Sequence, residues 1–126
     1  MMQSAKLMAF VSTRNPQKAK AFYSGILGLR FTSEHPFAVV FDSQGVMLRI
    51  SIVKDLTPQP FTVLGWQVPD IRATIHELGR KGVSFERSDF IPQDADGIWI
   101  TDDGTQVAWF KDPDGNLLSL TQFPIQ

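Results

Sequence analysis

The chain is predicted to be an α+β protein built from two βαβββ repeats, and three observations predict it. Of 126 residues, 43% are apolar and 20% charged, the balance of an ordinary globular chain long enough to bury a core. Two helix-start signals, Asn15-Pro16 and Pro69-Asp70, each follow an apolar run and precede residues with helical spacing. After each helix the pattern turns to short β-rich stretches separated by polar turns. The order strand, helix, three strands therefore occurs twice, over about 7–53 and 61–123, with a connector at 54–60, and the reading is of one domain, 1–126.

The first strand is Leu7 to Ser12, an apolar stretch stopped by the breakers after it. Asn15 then caps a helix with proline at its first turn, where the missing N–H is no loss. Ala19, Phe22, Tyr23, Ile26 and Leu27 share one face of it, and Gly28 ends it. Three strands follow: Leu29 to Glu34, Phe37 to Asp42, and Val46 to Val53 after a Ser43-Gln44-Gly45 turn. In the last of these, Val46, Leu48, Ile50 and Ile52 form an apolar face, while Met47, Arg49, Ser51 and Val53 form a mixed one. One side is suited to a helix and the other to a wet pocket.

Lys54 to Pro60, with two prolines, reads as the connector. Phe61 to Val68 begins the second cycle, and Ile71, Ile75 and Leu78 line a helix ending near Gly79 to Gly82. Val83 to Phe85 and Ile98 to Thr101 are short strand candidates, followed by Gln106 to Lys111 and Leu117 to Gln122. Two copies of a unit with an open, curved sheet can pair so that the sheets enclose a cavity, and a small-molecule ligand is expected there.

Several function classes are excluded by composition. Twelve Lys and Arg against thirteen Asp and Glu give a formal charge of −1 with no basic run, so nucleic acid is not an expected partner. No cysteine is present, which removes disulfides, thiolate metal sites and Cys nucleophiles. Met1 to Leu7 has no apolar run of signal-peptide length, and no later run is long enough for a bilayer. A cytoplasmic location without membrane contact is the expectation.

Trp109-Phe110-Lys111-Asp112-Pro113-Asp114-Gly115-Asn116-Leu117-Leu118-Ser119-Leu120 reads as strand, turn and returning strand. Pro113 fixes φ, Asp114 can bond the backbone, and Gly115-Asn116 tolerates positive φ. Together with the first helix, Asn15 to Tyr23 ending in Ile26-Leu27-Gly28-Leu29, and with Val68-Pro69-Asp70-Ile71 and Leu78-Gly79-Arg80-Lys81-Gly82-Val83, this string resembles the vicinal-oxygen-chelate superfamily. That group includes glyoxalase I, the bleomycin- and fosfomycin-resistance proteins and extradiol dioxygenases. The resemblance covers nearly the whole chain. It implies the glyoxalase/bleomycin-resistance fold, a homodimer, and a cavity whose enzymes hold a divalent metal through His and Glu.

Matched residue by residue, the superfamily's metal-ligand positions fall on Met8, Arg49, Val63 and Ser119. Sites of that kind need roughly three imidazole or carboxylate ligands, which this set does not offer, and a slip of one residue, to Leu7, Leu48 or Ile50, Thr62 or Leu64, and Leu118 or Leu120, does not supply them. No metal and no cofactor are therefore expected, and no catalytic residue is assigned.

Candidate ligand-binding residues are Arg49, Ser51, Gln67, Trp99, Trp109, Ser119 and His35. A guanidinium in a pocket suits a carboxylate or phosphate, although strand arginines are more often plain surface charges. Trp99 and Trp109 present broad faces for a planar ligand, with core packing as the plainer alternative, and Trp66 is read as structural. His35 follows Glu34 and precedes Pro36 in a turn between strands, where either side chain can serve as acid or base. His76 is read as facing water on the outer helix. Asp94-Ala95-Asp96-Gly97 and Asp102-Asp103-Gly104 invite a calcium reading, but they lack the spaced loop with its closing Glu, and turn chemistry accounts for them. Arg87 to Ile98, aperiodic with Pro92 and Gly97, is read as a mobile loop over the pocket.

The leading functional reading is a metal-independent small-molecule binding protein that sequesters its ligand, as the drug-binding members of the resembled superfamily do. The alternative is a lyase, isomerase or dioxygenase with a displaced metal site, or a metal-free catalyst using Glu34, His35 or Arg49. A module binding a partner protein through its sheet edges is a third reading.

Overall fold

The Asn15 carboxamide accepts the Lys18 amide at 3.1 Å and starts α1 (Pro16–Lys20) with proline in its first turn. In the computed structural model, which describes residues 1–125, this helix runs directly into a stretch of wider π-helical turns, Ala21–Ile26, closed by the Leu27 amide on the Phe22 carbonyl at 2.9 Å. The periodicity predicted one continuous α-helix. The widened turns still bury Ala19, Phe22 and Tyr23 together, and Gly28 ends the element at φ +74°.

The chain divides into two compact units, Met1–Pro58 and Gln59–Gln126. In the first, β1 (Met8–Thr13), β2 (Arg30–His35), β3 (Ala38–Ser43) and β4 (Val46–Ile52) form a sheet in the order β1-β4-β3-β2. Only the β1–β4 pair is parallel, as a crossover through a helix allows. Phe22, Tyr23, Val39, Phe41, Leu48 and Ile50 make the core between helix and sheet, and the Tyr23 ring lies 5.1 Å from Phe22 and 5.9 Å from Phe41.

The second unit repeats the plan with β5 (Leu64–Gln67), α2 (Ile71–Arg80), β6 (Trp99–Ile100), β7 (Gln106–Lys111) and β8 (Leu117–Gln122), in the order β5-β8-β7-β6. Again the first and last strands pair in parallel. Asp70 caps α2 by accepting the Ala73 amide at 3.0 Å, and Gln122 Oε1 takes the Ile71 amide at 2.8 Å, tying helix to sheet. Ile71, Ile75 and Leu78 are buried by the helix, as are Ala108, Phe110, Leu118 and Leu120 on the sheet. The strand expected at Val83 to Phe85 reduces to one bridge between Phe85 and Phe110.

The turn between β7 and β8 rests on a residue other than the one the sequence singled out. Asp112, 6% exposed, accepts the amides of Asp114 (2.9 Å) and Asn116 (3.0 Å) through Oδ1 and the Asn116 side-chain amide (2.8 Å) through Oδ2. The carboxylate before the proline thus satisfies the inside of the turn, while Gly115 supplies φ +88°. This knot fixes where β8, and with it Ser119, begins.

Candidate functional site

In the first unit the face of the sheet away from α1 carries Met8, Phe10 and Ser12 of β1 beside Met47, Arg49 and Ser51 of β4, since parallel partners point the same way. Met8, Phe10 and Met47 are 42%, 57% and 43% exposed, so this face is apolar and open around Arg49. Arg49 is itself half-buried, and among the described residues its guanidinium has no hydrogen-bond or ion-pair partner. Ala38 and Val40 of β3 are the buried floor beside it.

His35 belongs to this same face, which corrects its expected place in a turn. It is the last residue of β2, paired with Ala38, and its Nε2 lies 3.2 Å from the Ser33 hydroxyl. The cause is a β-bulge: the register shifts between Phe31 and Ser33, and the extra residue Thr32 donates to the Val40 carbonyl at 3.0 Å. Phe31 is thereby left on the helix side, 6.0 Å from Phe41, while Ser33 and His35 turn to the Arg49 side. His35 and Arg49 are two strands apart, about 10 Å across the sheet. Glu34 points to the opposite face and pairs with Lys20 at 3.4 Å, so it does not join Arg49 in any acid–base arrangement.

In the second unit one row across the sheet runs Gly65, Ser119, Trp109, with Gln67 and Thr121, then Val107 and Trp99, on the same side. The rings of Trp99 and Trp109 stack at 6.1 Å with planes 23° apart, and Trp109 Nε1 donates to the Thr62 hydroxyl at 3.0 Å. Both indoles are half-buried, presenting a rigid apolar platform at the surface. Ser119 is 7% exposed, and a Cβ on Gly65 would lie 2.5 Å from its Oγ, so the glycine leaves a notch over the hydroxyl. Of the expected residues, His35, Arg49 and Ser51 share a face in the first unit, and Gln67, Trp99, Trp109 and Ser119 share one in the second. Phe10 and Thr62 were missed. Strand alternation places Phe10 beside Arg49, whereas Thr62 precedes β5 and only the indole bond singles it out.

The chain matches the Glyoxalase/Bleomycin resistance protein/Dioxygenase superfamily over residues 7–120. It belongs to that superfamily. By structure it is similar to TnmS3, an antibiotic binding protein from Streptomyces sp. CB03234, at 22% identity and TM-score 0.73 over 98% of this chain and 99% of that one. It is similar to a lactoylglutathione lyase from Agrobacterium tumefaciens at 15% identity and TM-score 0.73, over 94% and 93% of the two chains. A superfamily member from Sphaerobacter thermophilus DSM 20745 matches at 20% identity and TM-score 0.74, over 97% and 99%. At these identities the likeness shows the fold. No curated protein matches by sequence.

The four residues that the sequence resemblance matches to the superfamily's metal-ligand positions offer no donor set for a divalent ion. Met8 carries a thioether, Arg49 a cation, Val63 a hydrocarbon and Ser119 a neutral hydroxyl, so the set offers neither imidazole nor carboxylate. Among the described residues no three His, Asp or Glu side chains form another such group.

One other expectation changes. Arg87 to Ile98 is not a loose loop: Gln93 donates to the carbonyls of Glu86 (3.1 Å) and Gly97 (2.9 Å) and accepts the Ser88 amide (2.7 Å). Asp94 accepts the amides of Asp96 (2.9 Å) and Ile98 (3.0 Å), and Arg72 of α2 binds both Asp94 and Asp96. His76, though exposed, is bonded to Asp96 at 3.2 Å. Arg72 and then His76 hold the Asp96 carboxyl below its ordinary value, and for Asp94 the pull of Arg72 and the two amides outweighs burial, which pushes the other way. Asp103 is likewise lowered by the Thr101 hydroxyl and the Thr105 amide, as turn chemistry requires.

Proposed function

We propose that this protein binds a small anionic molecule with a planar or apolar body, and that it does so without metal. One observation carries the reading: the Arg49 guanidinium, half-buried among exposed Met8, Phe10 and Met47, has no partner among the described residues. A planar fork of donors held beside apolar surface is complementary to a carboxylate or phosphate attached to an apolar group. Ser51 and His35 add hydrogen-bonding groups on that face. The second unit has a face of its own, on which Trp99, Trp109, Gln67 and Ser119 offer a stacking platform with polar edges. The printed descriptions of the similar structures include both a binding protein and a lyase. Met8, Arg49, Val63 and Ser119 favour binding for this chain, because they leave a catalytic metal without ligands. A homodimer in the cytoplasm is part of the reading, and light scattering after gel filtration checks the dimer.

The test is a thermal-shift screen of aromatic and aliphatic acids and of divalent cations, on the wild type and Arg49→Ala. Acids should raise the melting temperature of the wild type. Arg49→Ala should keep the unliganded melting temperature and bind roughly ten- to hundredfold more weakly, since hydrogen bonds to a charged group contribute about 1.5–3 kcal/mol. Equal shifts in the two proteins refute the role of Arg49, and stoichiometric bound metal after purification refutes the metal-free reading.

A further inference from the structure

A separate pocket of about 260 Å³ lies on the helix side of the second sheet, opposite Trp109. Its apolar wall is Ile75 of α2 with Val83 and Phe85, whose ring packs 5.4 Å from that of Phe110. Its rim carries Gly79, His76, Arg87 and the Asp96 carboxylate.

We propose that this pocket is a second binding site, for a small monocarboxylate with a short apolar body, distinct from the Arg49 face. Arg87 is the side chain on the lining that points to an anion, because the other charges around the pocket are paired with one another. Asp94 and Asp96 are both engaged by Arg72, and Asp96 also by His76. Glu86 pairs with Lys111 at 3.4 Å, and Glu77 with Arg80 at 2.5 Å. Arg87 differs: its Nη1 donates to the Asp94 backbone carbonyl at 2.6 Å, and among the described residues it has no carboxylate partner. Arg72 and Arg87 balance Asp94 and Asp96, so Arg87 offers its remaining donors without a net repulsive field over the pocket. The size limits the body. The volume equals roughly nine waters at ~30 Å³ each and falls below the ~300 Å³ at which pockets for drug-sized ligands begin, which suits a benzoate or a hexanoate. Gly79 leaves the entrance clear, because nothing lies within 4 Å of where its Cβ would be.

The test is saturation-transfer NMR titration of the full chain with benzoate and hexanoate, set against benzamide and hexanamide. Two variants close the site by different means. Gly79→Leu puts a bulky side chain at the entrance with a better helix former whose Cβ meets nothing within 4 Å, and Arg87→Gln removes the charge. Arg49→Ala, in which the Arg49 face no longer contributes, should bind the acids at millimolar concentration and the amides at least tenfold more weakly. Gly79→Leu and Arg87→Gln, each added to Arg49→Ala and melting near that parent, should weaken acid binding at least tenfold. The proposal is overturned if Arg49→Ala does not bind the acids, if it binds the amides equally well, or if neither added substitution weakens acid binding.

Discussion

Replacing Asp112 tests how the second unit's last hairpin is held. The carboxylate accepts three hydrogen bonds at 2.8–3.0 Å while only 6% exposed. In Asp112→Ala the amides of Asp114 and Asn116 lose their acceptor inside the turn. A buried donor left unsatisfied costs about 1–3 kcal/mol, so the two together cost about 2–6 kcal/mol, a large share of the roughly 5–15 kcal/mol that stabilises a domain. Asp112→Asn keeps a carbonyl oxygen for both amides and disturbs only the contact with the Asn116 side chain, for a loss of about 1–2 kcal/mol. At ~3–5 °C per kcal/mol for a chain of this size, the alanine variant should melt about 6–30 °C below the wild type and the asparagine variant about 3–10 °C below. Urea unfolding followed by far-UV circular dichroism gives the free energies directly. An alanine variant within ~1 kcal/mol of the wild type, the loss of an average point substitution, would refute the account of the turn.

Three further outcomes are expected. Gly65→Ala should destabilise by about 1–3 kcal/mol, the cost of overpacking, and the loss should largely vanish in a Ser119→Ala background, where the clashing Oγ is gone; a cycle with no coupling refutes the notch. Asn15→Ala should cost about 1 kcal/mol through loss of the α1 cap, measured by urea unfolding, and no change would remove the cap from the account. For Asp94 and Asp96, whose folded carboxyls lie below the ordinary 3.8, the stability they contribute is present above that value and lost as pH falls through the folded values. Arg72→Gln should therefore be less stable than the wild type at neutral pH, with the difference shrinking in acid; a constant difference at every pH refutes the linkage.

The sequence pattern made the architecture legible where local chemistry and burial agree. Asn15-Pro16 and Asp70 cap helices as read, and β7 and β8 have the expected ends. Alternation along β4 placed Arg49 opposite Leu48 and Ile50, which the burial of those two residues bears out. What failed to show depended on contacts distant in sequence or on small irregularities. One bulge residue, Thr32, carries His35 to the Arg49 face, and nothing in Arg30 to His35 announces it. The Arg87 to Ile98 segment looked loose because its order comes from Gln93 and from Arg72 on another element. Asp112 was overlooked beside Asp114 because both carboxylates suit a turn, and only the folded geometry shows the first aimed inward.

The central claim, that this superfamily member binds an anionic ligand through Arg49 without metal, is tested most directly by calorimetric titration of one aromatic acid into chelator-treated protein, repeated after adding manganese, nickel or zinc. The account predicts the same affinity with and without metal, and its loss in Arg49→Ala. Binding that appears only once a metal is restored, or that survives in Arg49→Ala, would contradict it.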